Sequence, residues 1–316
     1  MVNNQFHNHD HGPAGDSPDI EKRLIWALGI TVAIFVLELV GGFAANSLAL
    51  KSDAGHLFGD ILALGLSLFA AIVSRRPPTA RRTYGYHRIE VLAAILNGMT
   101  LFFLAGYIFY EAYQRLVAPE PVQSILMLTV ALVGLGANLF VLMKLREAAG
   151  DNLNVKAAFW HVLGDMLGSV GVVAGGLVML FTGNYLADPI ISFFVGAIII
   201  VGAVGVLREG ASILLESVPR SINYDKLKGD LENISGVVSV HDLHIWSISS
   251  GRLALSAHVR VGNQSTHEST RILQEACSVL AGQYDIHHAT LQLECDCCPD
   301  DDCGCHAPGV SRVAGK

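Results

Sequence analysis

Residues 52–73 read SDAGHLFGDILALGLSLFAAIV, an apolar run of the length that one helical crossing of a bilayer requires, roughly 20 residues. Two of its side chains do not suit hydrocarbon. His56 and Asp60 are spaced i, i+4, which puts both on one face of a helix, a turn apart. The pattern returns 105 residues on, where HVLGD (161–165) repeats HLFGD (56–60) with His, Gly and Asp in register. Ionisable groups inside a span are costly and signal function by default. One such pair could be a packing device; two matched pairs point to a shared site.

Outward from these stretches the composition agrees. Of 316 residues 52% are hydrophobic and 16% charged, with mean hydropathy +0.45, whereas soluble domains carry about 25% charged residues. Hydropathy predicts six spans near residues 24–45, 52–73, 91–116, 122–143, 157–181 and 188–209, a six-helix transmembrane bundle occupying 24–214. The polar stretch 1–23 reads as a cytoplasmic tail rather than a cleavable signal. The connection 74–88 (SRRPPTARRTYGYHR) holds five arginines and no acid, and by the positive-inside rule it faces the cytoplasm. An even number of spans then places both termini on that side, the expected membrane being the plasma or inner membrane.

After Pro219 the period changes. Residues 224–234 predict an amphipathic helix, 237–248 and 252–261 two strands around a Ser-Ser-Gly turn, 268–284 a second helix and 288–294 a last strand. The order αββαβ implies a small α+β domain over 215–294, with helices on one face of a three-stranded sheet. Alternation in the second strand puts His258 on the polar face. Residues 295–316 form a Cys- and Asp-rich tail: five of the six cysteines fall there, with Asp296, Asp300, Asp301 and Asp302. Such spacing suits soft-metal ligands better than a disulfide framework, and an acidic tail repels nucleic acid.

If the two membrane faces meet, His56, Asp60, His161 and Asp165 make a tetrahedral N2O2 set suited to zinc, with cobalt or cadmium as softer alternatives. Two carboxylates and a divalent ion are neutral together, which a bilayer tolerates. Without the ion, the same atoms attract protons, so metal and proton compete. A site of this kind opened alternately to two sides is an antiporter. Glu38, Asn97 and Asn138 read as packing or path-lining groups, and Asp53 and Lys51 as residues of the outer interface.

The stretches NSLALKSDAGHLFGD (46–60), YGYHRIEVLAA (84–94), NVKAAFWHVLGD (154–165) and VSVHDLHIWS (238–247) together resemble the cation diffusion facilitators, in their zinc-transporting branch. The resemblance runs from the first span to Glu294. It implies a homodimer with one transport site per protomer, places His56, Asp60, His161 and Asp165 on the transported ion, and implies a ferredoxin-like cytoplasmic domain. His at position 56 is similar to the zinc members, while relatives with Asp there are more permissive. In the cytoplasmic domain His241, His258 and Glu294 fall where the family holds regulatory metal, with His267 a weaker candidate. In similar transporters an N-terminal His motif and C-terminal cysteines complete cytoplasmic sites, which makes His7, His9 and His11, and Cys295 and Cys298, further candidates. Relatives that bind metal between spans two and three use His and Asp, whereas 74–88 offers His87 beside arginines, so no metal is expected there.

The reading is a secondary transporter that exports zinc in exchange for protons, and not an enzyme. An intramembrane metalloprotease needs an open metal position and usually H-E-x-x-H, and the nearest string, at His267-Glu268, lacks the second His. A passive channel does not suit a tight four-ligand site, a sensor would leave the paired membrane ligands without purpose, and no phosphate-loop motif offers primary pumping.

Overall fold

The computed structural model describes residues 18–148, 153–249 and 251–295, and within them no side chain at residues 18–25, 27 or 145–161. Six long helices come first: α1 (Pro18–Ala44), α2 (Leu48–Ser74), α3 (Arg88–Val117), α4 (Ser124–Ala148), α5 (Leu153–Thr182) and α6 (Ala187–Leu214). Helices α2 to α6 are long and apolar enough to cross a membrane, and α1 adds a shorter apolar stretch, Leu28–Ala44. In hydrocarbon a chain must satisfy its backbone internally, so segments of this composition have no alternative to the helix. Large apolar side chains such as Phe43, Phe103, Phe181 and Phe194 point outward, a surface fit for lipid. Inside, small residues set the approach: a Cβ on Gly175 of α5 would collide with Ile191 of α6.

The helical unit comprises the described residues up to Leu68 with Ala94–Leu207. Its chief organiser is the start of α2. Asp188, the second residue of α6, is fully buried; it accepts from the Ser47 hydroxyl at 2.6 Å and from the backbone N–H groups of Leu48 and Ala49 at 2.8 and 3.1 Å. A carboxylate at a helix N-terminus satisfies orphan donors and meets the positive end of the dipole. Arg115, near the end of α3, donates to the Asn46 carbonyl at 2.7 Å and side-chain oxygen at 3.0 Å, and lies 3.5 Å from Asp188 and 3.3 Å from Glu111. Asn46 takes a left-handed conformation, φ 50°, which asparagine tolerates better than most residues. These contacts fix the rotation of α2, and with it the direction in which His56 points two turns on.

The second unit comprises Phe69–Ala93 with the described residues from Arg208 onward. It contains α7 (Tyr224–Glu232), β1 (Val237–Ser249), β2 (Arg252–Val261), α8 (Thr266–Tyr284) and β3 (His288–Cys295). The sheet order is β1-β2-β3, with β1 and β2 antiparallel and β2 and β3 parallel. Parallel neighbours need a crossover, and α8 supplies it. Gly251, at φ 71°, turns the hairpin. Ser265 and Glu268 form a reciprocal capping box, so α8 begins at Thr266, two residues before the hydropathy places it; such a cap contributes about 1 kcal/mol. Leu227, Leu231, Ile245, Leu255, Ile272 and Leu280 fill the core between helices and sheet. In the same unit the arginine-rich connection meets the sheet: Arg252 pairs with the His87 ring at 2.9 Å, Tyr84 packs edge-on to His288, and Arg88 bonds Glu216 at 2.9 Å.

Candidate metal centres

The first cluster lies within the helical unit. The His56 ring bridges two carboxylates, its Nδ1 being 3.5 Å from Asp60 on its own helix and its Nε2 3.6 Å from Asp165 on α5. All three ligand atoms lie within 4.8 Å of one another. The i, i+4 spacing on α2 delivers His56 and Asp60 to one side, and α5 delivers Asp165, which is buried. His161 belongs to α5 one turn before Asp165, and its side chain lies outside the described residues. One imidazole and two carboxylates therefore meet at one point, a charge set that a divalent cation neutralises.

Around this cluster the structure adds further polar groups. Asp53, near the start of α2, is 5% exposed, and it accepts from the Ser169 hydroxyl of α5 at 3.3 Å. Its i, i+3 relation to His56 was the available signal, because it puts both on one helix face. Asn138 of α4 donates to Ser169 at 3.4 Å, and Glu38 of α1 is buried beside Gly134 of α4. Lys51 stands over the Phe43 ring, 5.1 Å from its centroid.

The second cluster lies on the sheet of the C-terminal unit. His241 and His258 are direct cross-strand partners in the β1–β2 ladder, so their side chains share a face. Glu294 of β3 completes the group, 3.2 Å from His241 Nε2 and 2.7 Å from His258 Nδ1. These atoms also lie within 4.8 Å of one another. The ladder is irregular between His241 and His244, where Asp242 adopts φ 50°. The bulge brings the Asp242 carboxylate to 3.7 Å from His258 and 3.0 Å from His244, a placement that strict alternation does not foretell. His267 is exposed in the first turn of α8 and is not a member of this group.

Cys295, the last residue of β3, is disulfide-bonded. A bonded sulfur offers no thiolate to a metal. The other tail candidates, His7, His9, His11 and Cys298, lie outside the described residues.

Comparison with known proteins follows this geometry. Residues 24–215 match the cation efflux transmembrane domain and residues 219–296 the cation efflux protein cytoplasmic domain. The chain belongs to the cation efflux family. The metal cation efflux system protein CzcD of Cupriavidus metallidurans is 39% identical over 98% of this chain and 96% of that relative. The zinc transporter ZitB of Escherichia coli is 37% identical over 96% of each. The cadmium, cobalt and zinc/H(+)-K(+) antiporter of Bacillus subtilis is 37% identical over 91% of each. The resemblance drawn from the four motifs is thus correct at the level of family, and this cation efflux family member is a transport protein rather than an enzyme.

Proposed function

We propose that the protein exports divalent metal from the cytoplasm, zinc foremost, in exchange for protons by alternating access. The observation that carries this is the convergence of His56, Asp60 and Asp165 on one point between helices fit to span a membrane. His161, a turn from Asp165, is the fourth ligand of the transport site in this reading. Zinc enters from the cytoplasmic side onto deprotonated ligands; the helices reorient, and protons from the far side displace it, because metal and proton use the same lone pairs. The names of the relatives, zinc transporters and a metal/proton–potassium antiporter, favour the same substrate class and coupling. Cadmium and cobalt are side substrates.

In this reading the N-terminal tail 1–23 and the six-span domain 24–214 are followed by a cytoplasmic domain, 215–294, that holds a homodimer, and by the tail 295–316. Zinc on His241, His258 and Glu294 biases the cycle toward a transport-competent state. The spans sit in the plasma or inner membrane with both termini cytoplasmic. The test is zinc uptake into proteoliposomes with and without a pH gradient. Uptake that follows the gradient and disappears in Asp165→Ala is expected, and a purified protein that binds zinc yet moves none under any gradient would overturn the reading.

A further inference from the structure

Glu38 has no part in the ligand set, yet it is among the most buried side chains of the helical unit, 1% exposed, and its Oε2 has no hydrogen-bond partner among the described residues. Gly134 makes room for it: a Cβ there would stand 2.6 Å from Glu38 Oε1. One turn further along α4 begins a hydrogen-bonded series, Asn138 to Ser169 and Ser169 to Asp53. Asp53 precedes His56 by one turn of α2, and Ser169 follows Asp165 by one turn of α5. Glu38 thus lies against α4 one turn from a hydrogen-bonded series that joins α4, α5 and α2 and ends at Asp53, one turn before His56. The ionisable groups acting on Glu38 are Asp53 and Asp165; α4 has none between Ser124 and Met143.

A buried carboxyl with an unmatched oxygen takes either a proton or a cation. Glu38 belongs to neither group of three or more convergent ligands found among the described residues, which favours the proton. We propose that Glu38 is the proton carrier of the transport cycle, passing protons through Asp53 to the metal cluster from the side on which α2 begins. The proposal rests on the antiport reading above. In each transfer the O–H bond of the Glu38 carboxyl breaks as one forms on Asp53; the proton then moves to Asp60 or Asp165 as zinc departs. Water on the α2 N-terminal side reprotonates Glu38.

The full-length protein in proteoliposomes, with zinc and an internal pH dye, tests this in wild type, Glu38→Gln and Glu38→Asp. Glu38→Gln should keep zinc affinity within about twofold while losing at least about tenfold in zinc-linked proton flux, with a flattened pH profile. Glu38→Asp should recover a large part of the flux. Wild-type flux and pH profile in Glu38→Gln overturn the proposal. So does loss of zinc binding in Glu38→Gln, which would make Glu38 a ligand, or an equal defect in Glu38→Asp, which would make its role one of shape. Should Glu38→Gln not fold, Gly134→Ala crowds the carboxyl without removing it; reduced flux at retained zinc affinity agrees with the proposal and unchanged flux overturns it. Zinc movement without protons in the wild type instead defeats antiport itself, so the two failures are separable.

Discussion

His56 stands between two carboxylates in a helical unit, its side chain 26% exposed, with Asp165 at 10%; His241 on the sheet is 49% exposed, with Glu294 at 20%. Imidazole and carboxylate thus meet in both places, in opposite surroundings. In the helices Asp165 is buried among apolar spans, so its charge demands a partner and every exchange of that partner changes the energy of the conformation. On the sheet, water screens the same groups, and an ion can come and go with less consequence. In the function proposed above, transport belongs to the first cluster and response to concentration to the second.

The largest expected effect breaks the comparison at its buried end. Asp165→Ala removes the most buried of the described ligands, and zinc flux in proteoliposomes should fall by about a hundredfold or more; flux within a factor of a few of wild type would refute the site. Next, His56→Asp replaces a borderline-soft nitrogen with a hard oxygen, and the preference for zinc over competing divalent ions should change by about tenfold, measured by competition uptake. Smaller still is His258→Ala on the exposed cluster of the full-length protein. Zinc affinity there should drop by about tenfold while maximal flux at saturating zinc stays near wild type; collapse of maximal flux would merge the two roles.

The smallest effect concerns acid. Burial, and then the neighbouring Arg252, hold the His87 imidazole below its ordinary value of 6.5. The folded contact thus binds fewer protons than the unfolded chain, so its contribution is present above 6.5 and fades as pH falls below it. The hydrogen-exchange protection of residues 79–87, taken relative to the intrinsic rate at each pH, should fall between pH 7.5 and 5.5, and Arg252→Ala should weaken that dependence.

That His56, Asp60 and Asp165 come together was legible in the sequence because cost makes such residues conspicuous: a His and an Asp a turn apart in hydrocarbon have few innocent explanations. The αββαβ order was legible for a different reason, since hydrophobic period and a Ser-Ser-Gly turn agree along residues 224–294; the S-x-x-E signal at Ser265–Glu268 went unread, which is why α8 begins two residues earlier than expected. The burial of Asp53 was not legible, because α2 starts under Asp188, about 140 positions later in the chain. No local pattern announces a cap supplied from so far away. Asp242 was missed because a bulge breaks the alternation by which strand faces are read.

That distant cap also has a mechanical meaning. The start of α2 is held by three bonds to one carboxylate of α6 and, through Asn46, by the guanidinium of Arg115 on α3. A rotation of α2 that turned His56 away from Asp165 must drag the beginnings of α2 and α6 together or strip the cap from four polar groups at once. In the alternating access proposed above the joint would serve as a pivot: a tilt of α2 about Leu48 displaces Asp60 more than His56 and His56 more than Asp53, because displacement grows with distance from the held end.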